Sequence, residues 1–167
     1  MVEMYNGSFS LTKTFTDTAL PKGYVPFGIQ DIGGQLYVAF AQSNGDAGGV
    51  IDIFTEEGTL VKHLAHGSPL NQPWGFAVAP KNFGPLSGAL LISNNINNAS
   101  TINGFSLKNG QFVGTIKNSA GKPIVIDQLW GIDFGDGKGA NGGPAQLFFT
   151  AGPSGNLAGT FGVIALQ

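Results

Sequence analysis

Three short segments decide the fold class of this chain: Phe27-Gly28-Ile29, Trp74-Gly75-Phe76 and Trp130-Gly131-Ile132. Each segment places an aromatic residue directly before a glycine and an apolar residue directly after it. The segments begin 47 and 56 residues apart. Because self-similarity at a period of 20 to 50 residues is typical of repeat architectures, we expect copies of one supersecondary unit along the chain.

Each of these starts is followed by further short apolar runs that predict strands. Second strands are predicted at 35–40, 89–93 and 146–150, and third strands at 50–54, 100–105 and 160–164. In the first two repeats the turns Glu56-Glu57-Gly58 and Lys108-Asn109-Gly110 lead into fourth strands at 59–64 and 111–116. Glycine supplies positive φ in such turns, so each unit is predicted to be a four-stranded antiparallel meander. An all-β fold follows, and the meander of about 50 residues is the blade of a β-propeller.

The two ends of the sequence predict incomplete blades. Residues 5–13 resemble a third-to-fourth-strand hairpin, whereas the last repeat stops after its third strand. We therefore interpret 1–167 as one half-propeller domain with about three blades. Its parts are the outer strands of a shared blade (1–22), two blades (23–72 and 73–128) and the inner strands of a shared blade (129–167).

Three blades do not close a ring, since propellers typically have at least four blades. Either the chain is part of a longer protein, or two copies form a homodimer with six blades and a two-fold axis. In the dimer, the N-terminal strands of each copy would complete the last blade of the other. Residues 2–6 and 160–164 both resemble third strands, so one of them would be surplus.

Composition excludes several classes of protein. Charged residues make up 11% of the chain, against about 25% in an average soluble protein, and all eight basic residues are lysines. A net charge of −2 without a basic cluster argues against nucleic acid as a partner. The absence of cysteine excludes disulfides and thiolate metal sites. We also find neither a signal peptide nor an apolar run of about 20 residues, so no membrane insertion is expected.

Four blocks of the sequence carry a family resemblance. They are 24–38, Pro73-Trp74-Gly75, 123–131 and 147–153. Together they resemble the C-terminal half of a six-bladed β-propeller family of conserved hypothetical proteins, some of which are exported with PEP-CTERM sorting tails. The blades are similar, more loosely, to NHL repeats. This resemblance implies a six-bladed fold and an extracellular or periplasmic location, and it implies no particular activity.

Polar loop residues and two tryptophans are the candidate ligand-binding groups. In propellers, ligands gather where loops surround the central channel, and the polar loops here contain Asn44, Asp46, Asn94, Asn95 and Asn97. Asparagine amides both donate and accept hydrogen bonds, which suits sugar hydroxyls. Trp74 and Trp130 could stack on sugars or pack between blades. The alternative for the polar residues is that they satisfy backbone groups in the turns.

A metal site is the second hypothesis. Asp31, Asp127 and Asp133 lie near first strands, and carboxylate oxygens suit Ca²⁺. Alternatively, these aspartates bind the backbone of their own loops. His63 and His66 are predicted on opposite faces of a strand, because side chains alternate along it. Neither has a Ser or Asp at a spacing that indicates a catalytic triad, so we expect both histidines at the surface.

The sequence thus supports two functions. The first is a non-catalytic binding or structural module, completed by homodimerisation, for a polar uncharged ligand such as a glycan. The alternative is a Ca²⁺-dependent hydrolase or lactonase with its site in the channel. The first function needs no cofactor, and the second needs Ca²⁺.

Overall fold

The protein is all-β, and the computed structural model describes residues 1–165. Residues 166 and 167, which end the last predicted blade segment, lie outside the described residues. The strands are β1 (Val2–Tyr5), β2 (Leu11–Phe15), β3 (Tyr24–Asp31), β4 (Gln35–Gln42), β5 (Val50–Thr55), β6 (Leu60–His66), β7 (Pro73–Val78), β8 (Leu90–Asn94), β9 (Ile102–Phe105), β10 (Phe112–Thr115), β11 (Leu129–Phe134), β12 (Gln146–Ala151) and β13 (Thr160–Ala165). A 3-10 turn (Gly84–Leu86) and a helical turn, α1 (Pro153–Asn156), complete the elements.

The strands form four antiparallel sheets in which spatial order follows chain order. They are the hairpin sheet β1-β2, the first four-stranded sheet β3-β4-β5-β6, the second four-stranded sheet β7-β8-β9-β10 and the three-stranded sheet β11-β12-β13. The predicted second, third and fourth strands are confirmed to within two residues at each end. Both predicted hairpin turns place glycine at positive φ, +75° at Gly58 and +68° at Gly110. The N-terminal hairpin is confirmed as well.

Successive sheets pack face to face through apolar layers. One core lies between the hairpin sheet and the first four-stranded sheet, a second between the two four-stranded sheets, and a third between the second four-stranded sheet and the three-stranded sheet. The outer face of the three-stranded sheet has no such layer within the described residues. It presents Phe161 at 72% and Val163 at 48% exposure, with Phe148 stacked on Phe161 at 5.6 Å.

The aromatic-glycine segments join the first strands of neighbouring sheets. β3 lies beside β7, and β7 lies beside β11. A Cβ on Gly28 would overlap the carbonyl oxygen of Trp74, and a Cβ on Gly75 would lie 2.8 Å from that of Trp130. Glycine is therefore required for the close approach of the strands, and the preceding aromatic ring packs across the same junction.

A second set of contacts recurs between the outer strands. Lys13 Nζ on β2 donates to the carbonyl of Glu57 in the next sheet's hairpin turn, and Lys62 Nζ on β6 donates in the same way to Lys108. The turn glycines repeat this relation, because Gly58 packs on Phe15 of β2 and Gly110 packs on Leu64 of β6. β2 thus contacts the first four-stranded sheet as β6 contacts the second.

Among the described residues, no helix has the length and apolar character needed to cross a membrane.

Candidate functional site

The two tryptophans and Phe27 form one aromatic cluster on the first strands. The ring centroids of Phe27 and Trp74 are 4.5 Å apart at 90°, and those of Trp74 and Trp130 are 4.6 Å apart at 88°. All three side chains remain partly exposed. Edge-to-face packing of this kind stabilises the junctions between strands while leaving ring surface accessible.

A hollow of about 460 Å³ opens beside this cluster. Its wall includes Phe27, Trp74, Gln30 and the exposed Ile29. Trp130 is the second residue of β11, and its indole Nε1 donates to Asn156 Oδ1 at 3.0 Å. The predicted tryptophans are thus adjacent, and one of them lines an open, mainly apolar surface with few charges.

The predicted polar residues of the first two loops hold the loop backbone. Asn44 Nδ2 donates to Asp46 Oδ2 at 2.7 Å, and the Asp46 amide donates back to Asn44 Oδ1 at 3.0 Å. Asn94 is 3% exposed and bridges the Asn71 amide and the Pro69 carbonyl. The side-chain Nδ2 of Asn95 donates to the carbonyl of Leu129 at 3.0 Å, which links the second four-stranded sheet to the three-stranded sheet.

The three aspartates predicted as metal ligands each accept backbone hydrogen bonds. Asp31 Oδ1 accepts from the Gly34 amide at 2.9 Å, and Asp133 Oδ1 accepts from Phe134 at 2.8 Å. Asp127 uses both oxygens, accepting from Asn98 at 2.6 Å and from Ser154 at 3.1 Å. Within residues 1–165, these aspartates do not belong to the group of His, Asp and Glu side chains close enough to share an ion.

Sequence reasoning missed two glutamines that tie the loops together. Gly23, Gln72 and Gln128 occupy equivalent positions: each has positive φ, and each carbonyl accepts an amide hydrogen bond of 2.9 Å from the loop that follows the second strand of the same sheet. A glutamine in this conformation is strained where glycine is not. The signal in the sequence is a glutamine two residues before Trp-Gly, present at both Gln72 and Gln128.

The side chains of these glutamines join neighbouring sheets. Gln72 Nε2 donates to the carbonyls of Asp46 at 2.7 Å, in the loop of the preceding sheet, and of Gln42 at 3.3 Å, at the end of β4. Gln128 donates to Asn97 Oδ1, and its Oε1 accepts from the Asn156 amide at 2.8 Å. Asn97 is therefore held by a contact between sheets.

We expect the Gln72→Ala variant to be less stable than the Gln72→Gly variant. Both lose the hydrogen bonds to Asp46 and Gln42, but only alanine keeps the strain of φ +49°. The free energy of unfolding is expected to fall by about 1–2 kcal/mol in the alanine variant and by roughly half of that in the glycine variant. Thermal unfolding tests the order, with Gln111→Ala at an exposed position as the control. A glycine variant that melts at or below the alanine variant would contradict this account.

A second cluster, formed by Asp17, Asp52 and His63, lies at the junction of the hairpin sheet and the first four-stranded sheet. His63 Nδ1 is 3.1 Å from Asp52 Oδ1 and 3.5 Å from Asp17 Oδ2. Both aspartate side chains are buried, whereas that of His63 is 54% exposed. Burial raises the pKa of Asp52, and the hydrogen bond with His63 opposes that shift.

This cluster corrects the predictions for the two histidines. The spacing of the sequence indicated no aspartate partner, but Asp52 on β5 lies opposite His63 on β6. The prediction that both histidines lie at the surface is confirmed, because both are exposed. The prediction of opposite faces is wrong. The register shifts between Ile51 and Asp52, so that Leu64 is passed over in the pairing and His63 and His66 lie on one face. Both histidines accordingly line the same cavity of about 520 Å³.

Three uncharacterized proteins of Acanthamoeba polyphaga mimivirus are similar to this chain. One is 34% identical over 89% of the chain and 38% of the relative. The second is 30% identical over 78% of the chain and 27% of its own length, and the third is 31% identical over 68% and 32%. The chain spans well under half the length of the curated relatives it matches. No protein-family model and no solved structure matches the chain.

Proposed function

We propose that this chain is a β-propeller segment that acts as a non-catalytic binding module for a polar uncharged ligand such as a glycan, in an extracytoplasmic setting. The observation that carries the proposal is the aromatic cluster of Phe27, Trp74 and Trp130 beside an open hollow. Sugar rings stack on partly exposed aromatic faces, and low charge around the hollow suits a neutral ligand. The polar loop residues support this surface by holding the loops, and Phe27 and Trp74, which line the hollow, supply the contact.

The repeated packing between sheets supports the propeller architecture. The same inner contacts relate β3 to β7 and β7 to β11, and the same outer contacts relate β2 and β6 to the hairpins that follow them. A repeat of one packing relation between successive sheets is what places blades around an axis. Gly131 is the next position in this series, yet among residues 1–165 a Cβ there would meet only Thr150 Oγ1, at 3.4 Å.

We propose that a second copy supplies the missing neighbour, with β3 of that copy packing on Gly131. The outer face of the three-stranded sheet, with the exposed Phe161 and Val163, then packs against the partner's first four-stranded sheet. The dimer has six blades in this arrangement. Light scattering on a size-exclusion column is expected to give twice 17.3 kDa for the chain expressed alone. The Gly131→Val variant is expected to be monomeric and folded, because a Cβ at this position meets the Thr150 hydroxyl oxygen at 3.4 Å, which is ordinary van der Waals contact.

A wild-type monomer would contradict the dimer and would indicate that further blades belong to the same, longer polypeptide. A Gly131→Val variant with the mass of the wild type would show that β11 is not the interface. Circular dichroism on each variant separates loss of assembly from loss of folding.

Tryptophan fluorescence tests ligand binding directly, because both tryptophans of the chain belong to the cluster. We expect the emission to change on titration with neutral oligosaccharides of β-1,4-linked glucose or N-acetylglucosamine. Trp74→Phe keeps an aromatic ring at this position, since Phe27 is the equivalent residue of the first repeat. The substitution is expected to lower the affinity for the oligosaccharide about tenfold. Phe9→Leu, at an 88% exposed position in the β1–β2 turn, is the control. An unchanged affinity in Trp74→Phe would contradict the proposed site.

A further inference from the structure

The cluster of Asp17, Asp52 and His63 lies in a layer that is otherwise apolar. On β5, Val50, Asp52 and Phe54 alternate onto the face that the hairpin sheet covers, and Asp52 lies opposite Val38 of β4. Asp52 is 0% exposed, and its neighbours Val38 and Phe54 are as well. A carboxylate in such a layer is costly unless its charge and its oxygens are compensated.

The chain compensates this charge only in part. Asp52 Oδ1 contacts His63, but Oδ2 is buried and has no hydrogen-bond partner within residues 1–165. Since the two oxygens of a carboxylate share one carbon, Oδ2 lies beside the His63 contact. Asp17 brings a second carboxylate, whose Oδ1 already accepts from the Ala19 amide while Oδ2 faces His63. With both carboxylates ionised, two buried negative charges face one imidazole, so an excess of negative charge remains even when His63 is protonated.

Nearby lysines do not supply the missing positive charge. Lys13 and Lys62 direct their ammonium groups to the carbonyls of Glu57 and Lys108. In the part of the chain that the structure describes, the ion pairs of both aspartates involve only His63. A bound cation would neutralise the excess and give Asp52 Oδ2 a partner.

The spacing of the ligand atoms suits a small transition-metal ion. One ligand atom from each of the three residues lies within 4.8 Å of the others. In a tetrahedral site with bonds of about 2.0–2.1 Å, neighbouring ligand atoms are about 3.3 Å apart. The His63 Nδ1 distances to the two carboxylates, 3.1 and 3.5 Å, bracket that value. An imidazole together with two carboxylates is a donor set for Zn²⁺ rather than for Ca²⁺, which prefers oxygen ligands alone.

We propose that Asp17, Asp52 and His63 form a binding site for Zn²⁺ or a similar divalent transition-metal ion, with its open coordination position facing the cavity beside β6. The site joins the segment after β2 to strands β5 and β6. The ion therefore fastens the hairpin sheet onto the first four-stranded sheet. This role is independent of the aromatic cluster and of the proposed ligand.

Calorimetric titration of the metal-free chain with ZnCl₂ tests the proposal. We expect one Zn²⁺ per chain with a micromolar or lower dissociation constant, and a rise in melting temperature of several degrees with excess Zn²⁺. CaCl₂ at the same concentration is expected to produce neither effect. Asp52→Asn and His63→Ala are each expected to weaken Zn²⁺ binding at least 100-fold.

His66→Ala is the matched control, since His66 lies on the same strand and lines the same cavity but is outside the cluster. We expect its Zn²⁺ affinity to stay within about threefold of the wild type. Equal losses in His63→Ala and His66→Ala would overturn the site in favour of adventitious binding by exposed histidines. Absence of binding by the wild-type chain, or unchanged binding by Asp52→Asn, would also overturn it. Melting curves in EDTA establish that each variant is folded, and Asp52→Asn keeps the side-chain shape if His63→Ala does not fold.

Discussion

Gly28→Ala is expected to lower the free energy of unfolding by about 3 kcal/mol or more, and the melting temperature by roughly 6–12 °C. The added methyl group would overlap the Trp74 carbonyl, which is backbone and cannot turn away. β3 and β7 would have to separate, and the Phe27–Trp74 ring contact at 4.5 Å would open with them. Gly75→Ala is expected to act in the same direction, because Trp130 O and Ile132 N lie 2.8 and 2.9 Å from the new atom.

The control for this pair is Gly159→Ala. In the described part of the chain, a Cβ on Gly159 meets nothing within 4 Å, and the φ of Gly159 is not in the left-handed region. Its melting temperature is expected to stay within about 2 °C of the wild type, since surface substitutions usually change stability by less than about 0.5 kcal/mol. Equal melting temperatures for Gly28→Ala and Gly159→Ala would show that the glycine of the aromatic-glycine repeat is not needed for close approach of the first strands.

Gly110→Ala is expected to be the second strongly destabilising change, again by about 3 kcal/mol. Two effects add at this position. The φ of +68° disfavours any residue with a Cβ by about 1–2 kcal/mol, and the Cβ itself would overlap the carbonyl oxygen of Leu64 on β6. The second effect arises from the packing of one sheet's hairpin turn against the outer strand of the sheet before it.

Gly121→Ala separates these two effects. Gly121 has a φ of +72°, but a Cβ there meets no described residue within 4 Å, so only the conformational cost of about 1–2 kcal/mol is expected. Gly58→Ala should fall between the two, because its nearest neighbour is the side chain of Phe15 and not the backbone. Thermal or urea unfolding of the three variants gives the order. Equal decreases in the free energy of unfolding for Gly110→Ala and Gly121→Ala would show that the contact between the sheets contributes little to stability.

The strands and turns could be predicted because their signals are local. A run such as 50–54 alternates over a few residues, and glycines such as Gly58 and Gly110 mark turns that require positive φ. The repeated spacing then predicted the number of strands in each sheet. No long-range contact was needed for these inferences, because each repeat is one meander whose neighbours in space are its neighbours in sequence.

The candidate sites depend on contacts that no local pattern contains. Asp17, Asp52 and His63 come from three separate segments, and a shift in register between β5 and β6 turns His63 and His66 to one face. A strict alternation of side chains, which is all that the sequence supplies, predicts the opposite. Gln72 illustrates the same limit: its position before Trp-Gly is visible in the sequence, but its bonds to the preceding sheet are not.

The sequence by itself determined the all-β class, the strand order and the turns, because these follow from periodicities of two residues and from the backbone freedom of glycine. It also placed Trp74 and Trp130 at equivalent positions. The tertiary structure alone decided that these rings touch, that Gly28 and Gly75 allow the strands to approach, and that two carboxylates and an imidazole meet in an apolar layer. Such contacts depend on how sheets stack and where a strand changes register, and these are properties of packing between segments that are distant in the chain.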